Sequence, residues 1–108
     1  ECAARGKADQ AKGLASMKAI RERAGLDVSN YTSYTLQDVL DERSRELMWE
    51  GHRRSDLIRF GQFTTDAYLW EYKGAVYEGT AVADHRNLFP LPPADVNANG
   101  NLKQNAGY

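Results

Sequence analysis

Residues 41–61 read DERSRELMWEGHRRSDLIRFG, a charged stretch that nevertheless keeps the period of a helix. At about 100° per residue, Leu36, Val39, Leu40, Leu47, Leu57 and Ile58 gather on one side. Arg43, Glu50 and Arg54 fall in the middle of that same side. A helix that only had to pack would carry Leu, Ile or Ala there. Burying charge is costly unless the charge is paired and hydrogen-bonded. The pattern therefore predicts either an internal Arg43–Glu50–Arg54 ion network or a polar groove. If the network forms, Glu50→Ala strands two arginines at a cost of about 3 kcal/mol or more.

Working outward, the helix carrying this face is expected over about 36–60, with Gly51 as an interruption costing about 1 kcal/mol relative to Ala. Thr35 and Asp38 form a capping-box pattern at its start, Asp replacing the usual Glu or Gln. Upstream, 7–24 reads as a second amphipathic helix. Leu14, Met17 and Ile20 mark one side, and Ala8, Ala11, Ala15 and Ala24 suggest a helix–helix seam. Gly25 is placed to end it. The polar loop 26–34 is short enough to return the next helix antiparallel.

Beyond Gly61 the period is lost. Phe63, Tyr68, Trp70, Tyr72 and Tyr77 crowd a glycine-containing stretch read as irregular loops or short strands. Residues 88–93, LFPLPP, must be extended because a residue before proline avoids the helical region. Pro93 can open one helical turn. Residues 97–101 are turn chemistry, and Leu102 and Tyr108 are placed to pin the tail.

The bulk properties are those of one modest domain. The chain has 108 residues, 42% hydrophobic and 27% charged, with a formal net charge of −1. That balance supplies no global field for nucleic acid or an anionic membrane surface. No apolar run is long enough to span a bilayer as a helix, and no secretory leader is visible. Cys2 is the sole cysteine, so an internal disulfide is excluded. With no initiator Met and a helix close to residue 1, the sequence reads as a piece of something longer.

Catalytic and metal chemistry find little support. Glu42, Glu46 and Glu50 are spaced by four but sit among arginines, and no Glu-x-x-His or His-Glu-x-x-His is present, so no metal or other cofactor is expected. Ser44, His52 and Asp56 could be grouped, yet no nucleophile elbow frames a serine. No glycine-rich loop precedes a helix to cradle phosphate. The aromatic segment is the remaining candidate. Tyr68, Trp70, Tyr72 and Tyr77 could offer flat rings to the apolar face of a sugar, with Glu71 and Lys73 beside them, although the same rings could simply pack a loop-rich module.

Three ordered blocks carry a resemblance. They are Glu42-Arg-Ser-Arg-Glu-Leu with Trp49-Glu-Gly-His-Arg-Arg-Ser-Asp-Leu-Ile-Arg-Phe-Gly61, then Asn87-Leu-Phe-Pro-Leu-Pro92, then Asn99-Gly-Asn-Leu-Lys-Gln-Asn-Ala-Gly-Tyr108. Together with Ile20-Arg-Glu-Arg-Ala-Gly25 they resemble the C-terminal end of SusD/RagB-family outer-membrane lipoproteins. Gly100 and Ala106 stand where that family usually has proline.

The resemblance implies a mainly α fold: two amphipathic helices plus a loop-rich, aromatic segment over 61–108, part of a larger scaffold of tetratricopeptide-like helix pairs. It implies a non-catalytic protein on the surface of the outer membrane, held by a lipid outside this segment. Its partners would be a glycan or other nutrient and a SusC-like TonB-dependent transporter. The family's main glycan contacts lie largely before this segment, so no binding residue carries over. The alternative is a purely structural helical module for protein–protein contact, without a ligand of its own.

Overall fold

The computed structural model describes residues 1–108, the whole sequence. It contains helices α1 (Gln10–Arg23), α2 (Leu36–Glu46), α3 (Arg53–Arg59) and α4 (Pro93–Ala98), with 3₁₀ turns at Lys73–Ala75 and Asp84–Asn87. The aromatic stretch forms loops and a 3₁₀ turn rather than strands. None of the helices is long and apolar enough to cross a membrane. The chain divides into two compact units, Glu1–Arg53 and Arg54–Tyr108.

In the first unit, local chemistry sets the helix ends. The Asp9 carboxylate accepts from the amides of Ala11 (2.8 Å) and Lys12 (3.3 Å) and caps α1. At the other end, Gly25 takes φ = +80°, donating to the Glu22 carbonyl while Leu26 donates to that of Arg21. This paired-bond ending needs a left-handed residue, which glycine supplies without steric cost. Thr35 and Asp38 form the capping box anticipated from the sequence, each side chain accepting from the other's backbone amide (3.1 and 2.6 Å).

The seam on α1 differs from the alanine reading. Ala8, Ala11, Ala15 and Ala24 are exposed, whereas Met17 is buried and Gly13, Leu14 and Ile20 are half-buried. Alanine promotes helix without needing a partner, so its spacing did not mark the contact. Gly13 has a packing role: a Cβ there would lie 1.9 Å from the Tyr34 hydroxyl and 2.7 Å from the Ala3 Cβ.

The direction of α2 also differs from expectation. Tyr34, just before α2, donates to Gln10 at the start of α1 (3.3 Å). Farther along, Glu42 pairs with Arg21 (3.2 Å) and Glu46 with Arg23. Contacts that ascend together along both helices mean that α2 runs in the same sense as α1. The connecting loop carries the chain back along α1 first, with Tyr31 beneath the Arg21 guanidinium (4.8 Å to the ring centroid). A loop of this length, extended at roughly 3.3 Å per residue, easily retraces the helix. Met17, Val28, Val39 and Leu40 form the apolar core of this unit with Ala3. A groove of about 420 Å³ remains beside it, lined by Ile20, Val39, Arg43 and Leu47 among others.

The helix expected over 36–60 is two helices. α2 ends at Glu46, and residues 47–51 form turns in which Trp49 (φ = +68°) and Gly51 (φ = +74°) are both left-handed. Two left-handed residues only two positions apart cannot continue a right-handed helix. Glycine takes that conformation freely, while a large side chain such as Trp49 pays for it. Trp49 projects almost wholly into solvent.

The second unit is loop-rich, with an unusually polar interior: Leu57 is buried together with Asp56, Thr64 and Lys73. Asp56 pairs with Arg59 (2.8 Å). α3 closes on Gly61 (φ = +70°) by the same paired bonds as α1, Gly61 to Ile58 and Gln62 to Leu57. Thr64 ties the loop after α3 to residues 82–87. Its hydroxyl donates to Asp84 (2.9 Å), and its carbonyl accepts from the Val82 amide (2.8 Å).

The proline-rich segment 88–92 is extended up to the start of α4, and it has few amides of its own to offer. The tail supplies the missing bonds from side chains. Gln104 accepts from the Leu91 amide (2.7 Å) and donates to the Leu91 carbonyl (2.9 Å). Asn105 donates to Phe89 (2.7 Å) and Tyr108 to Leu88 (2.8 Å), with the Tyr108 ring edge-on to His85. Tyr108 thus pins the tail; Leu102 remains partly exposed.

Candidate functional site

The expected Arg43–Glu50–Arg54 network depended on one continuous helix, and the break after Glu46 removes that premise. Arg43 is half-buried on the α1–α2 groove, and Glu50 is exposed in the turn segment. Arg54 belongs to the second unit, where it donates to the carbonyls of Arg86 (2.8 Å) and Asn87 (3.2 Å). The buried carboxylate is Glu42 instead, 4% exposed, accepting from Arg21 (3.2 Å) and Arg45 (2.8 Å). These bonds account for its burial structurally.

The other residue groups weighed for chemistry are also tied up structurally. Glu46 pairs with Arg23, and the Ser44 hydroxyl donates to the Asp41 carbonyl (2.7 Å). No group of three or more His, Cys, Asp or Glu side chains is arranged to hold a metal. Cys2 is exposed and free.

The aromatic segment forms a cleft entirely within the second unit, about 400 Å³ in volume. Trp70 and Tyr72 line it, and Phe63, Phe89 and Tyr108 also contribute rings. Trp70 is stacked on Phe63 (5.9 Å, 29°) and tilted against Tyr68 (6.2 Å), yet stays 40% exposed. Tyr72 and Tyr77 meet edge to face at 5.6 Å and are 67% and 57% exposed. The sequence candidates thus assemble as two neighbouring ring groups. Trp70 and Tyr72 face the cleft, while Tyr77 supports Tyr72 and Tyr68 backs Trp70.

Backbone strain accompanies this display. Tyr72 (φ = +64°) and Ala75 (φ = +63°) are left-handed around the 3₁₀ turn. Each such non-glycine residue costs of order 1–3 kcal/mol, and such residues cluster where function needs a particular presentation. The Tyr72 amide donates to the Tyr77 carbonyl (3.2 Å), closing the loop that carries the exposed rings.

Lys73 organises the underside. It is 2% exposed, and its ammonium donates to the carbonyls of Thr65 and Tyr68 (2.6 Å for the latter) and lies 4.8 Å from the Trp70 ring centroid. Burial pushes this ammonium below its usual range near 10.5, with nearby Asp66 opposing the shift. Arg54 does a similar service for two other rings. Its guanidinium sits 3.9 Å from the Phe89 ring centroid and 4.9 Å from that of Phe63.

Sequence reasoning missed Phe89 and Arg86 as members of the cleft. Phe89 was legible only as part of an extended proline-rich run. Arg86 carried no sequence signal, since nothing local indicates that residues 82–90 fold beside Trp70.

Comparison with known proteins follows the same lines. Residues 1–108 match the sequence model of the SusD family. Over 89 residues the chain is 47% identical to the starch-binding protein SusD of Bacteroides thetaiotaomicron, a match covering 82% of this chain and 16% of that protein. Among solved structures it is similar to surface glycan-binding protein A from Bacteroides thetaiotaomicron. The TM-score is 0.72 and the identity 27%, covering 95% of this chain and 21% of that one. The chain therefore spans a minor part of the length of either relative.

Proposed function

The chain belongs to the SusD family, and on that footing we propose that it is part of a non-catalytic, cell-surface glycan-binding protein. The observation that carries the reading is the 47% identity to a starch-binding protein. It is supported by the exposed rings of Trp70 and Tyr72 on one cleft, the residue types that stack on the apolar faces of sugars. In this reading the segment closes the C-terminal end of a larger α-helical scaffold. The whole protein sits on the outer membrane through a lipid anchor elsewhere in its chain and passes glycans to a SusC-like TonB-dependent transporter. Tyr68 and Tyr77 brace the two stacking rings.

A purely structural interaction module gains less support, because packing alone gives no reason to hold Tyr72 two-thirds exposed on a left-handed backbone. The test is affinity electrophoresis of the intact protein in gels cast with soluble polysaccharides, with the same polysaccharides assayed for shortened products. Retardation without turnover is expected. Migration unaffected by every polysaccharide, or release of shorter sugars, contradicts the proposal.

A further inference from the structure

We propose that the cleft of the second unit is a subsite for an acidic sugar, one bearing a carboxylate or sulfate. This rests on the glycan-binding reading and adds the ligand's charge class. The cleft is lined by three cations, Arg54, Lys73 and Arg86, and by no Asp or Glu. Two of them are fixed. Arg54 is held by two backbone carbonyls and the Phe89 ring, and Lys73 by two carbonyls beneath Trp70. Carbonyl acceptors orient these cations but do not neutralise their formal charge, so their field acts on the cleft at reduced screening.

Arg86 completes the arrangement. It is exposed, and its own carbonyl anchors Arg54. Its guanidinium supplies a planar donor fork that matches a carboxylate or sulfate. Trp70 and Tyr72 border the same cleft, so a pyranose stacked on either ring would bring an acidic substituent toward the cations. A neutral sugar would use the rings and bring no negative charge to the three cations of the lining. Two carboxylates act on the cleft's surroundings, Asp66 and Asp84. Asp66 favours the charged form of Lys73, and Asp84 accepts from Thr64.

The experiment titrates the intact protein with an α-1,4-linked galacturonic acid trimer and with the galactose trimer of the same linkage, using wild type, Arg86→Ala and Trp70→Ala. The expected result is tighter binding of the acidic trimer, weakened roughly tenfold by Arg86→Ala. Raising ionic strength from about 0.05 M to about 0.5 M should weaken it as well, because the Debye length falls several-fold. A sulfated galactose trimer separates the two acid types: either acid binding in this Arg86-dependent way supports the subsite.

Equal affinity for acidic and neutral trimers, or acidic binding indifferent to Arg86→Ala, overturns it. Absence of binding by both the galacturonic acid trimer and the sulfated trimer overturns it too. If Trp70→Ala then still weakens binding of a neutral glycan, the glycan-binding reading stands without the acid preference. If the intact protein binds no glycan, that reading fails as well. Because Arg86 is exposed, its replacement leaves the fold intact, which thermal unfolding of the variant checks.

Discussion

Glu42 accepts hydrogen bonds from both Arg21 of α1 (3.2 Å) and Arg45 of its own helix (2.8 Å), and its side chain is 5% exposed. One buried carboxylate thus joins the two helices of the first unit. Removing it leaves Arg21, only 26% exposed, without its main counter-charge. Glu42→Ala is expected to lower stability by about 2 kcal/mol, less than a fully buried pair because Arg45 can turn to solvent. Glu50→Ala, in the exposed turn, should change stability by no more than about 0.5 kcal/mol. Chemical denaturation of the two variants side by side checks the contrast; equal losses would restore Glu50 as the structural carboxylate.

The capping box makes the start of α2 sensitive to acid. The Thr35 hydroxyl and backbone amide hold the Asp38 carboxyl below its ordinary value of 3.8. Because the folded value lies below the unfolded one, proton binding favours the unfolded chain. The contribution is complete above about pH 4 and is lost as pH falls through the folded value. Thr35→Ala should cost about 1 kcal/mol at neutral pH. It should also reduce the fall in stability on acidification, as read by melting temperature from pH 7 down to pH 2.

Lys73 is a test of what positions the exposed rings. Lys73→Met keeps most of the side chain's length in apolar form but leaves the Thr65 and Tyr68 carbonyls without their donor. A loss of about 1–2 kcal/mol is expected, the cost of a stranded buried acceptor partly relieved by no longer burying a charge. Amide hydrogen exchange should accelerate over residues 65–73 first. Uniform acceleration across the second unit, with no preference for that loop, would count against a positioning role.

The tail offers a narrower test. Gln104 both accepts from and donates to Leu91, a side chain doing the work of a neighbouring strand. Gln104→Ala should expose the Leu91 amide to exchange and free residues 99–108 for proteolysis. The cost is about 1 kcal/mol for each bond lost. Exchange at Leu91 equal to that of the parent protein would show that the tail is held by Asn105 and Tyr108 alone.

These comparisons also show what could be read from the chain. The C-terminal end of α1 and the start of α2 were legible because they depend on a few adjacent residues: Gly25 on its left-handed backbone, and Thr35 with Asp38. The extended segment around Pro90 and Pro92 was legible for the same reason. The ion network was misplaced because helical angles were projected through residues 47–51. Beyond the left-handed Trp49 and Gly51, positions such as Arg54 and Leu57 lose their phase relation to Val39 and Leu40.

Gly51 hinted at the break, but nothing in the local sequence says that Trp49 will adopt a positive φ. The same-sense course of α2 depended on a loop that retraces α1, set by Tyr31 and Tyr34 finding Arg21 and Gln10. In the candidate site, Trp70 and Tyr72 were visible as residue types. Their cationic neighbours Arg54 and Arg86 come from segments more than ten residues away and were assembled only by the fold.

The most direct test of the central claim is isothermal titration of the intact protein with a glycan it binds, comparing wild type with Trp70→Ala and with Trp49→Ala as a control. Trp49 is also exposed but lies outside the cleft. Trp70→Ala is expected to weaken binding roughly tenfold, about 1.4 kcal/mol, while Trp49→Ala leaves it within about twofold. Unchanged affinity in Trp70→Ala would contradict a sugar-stacking role for the cleft.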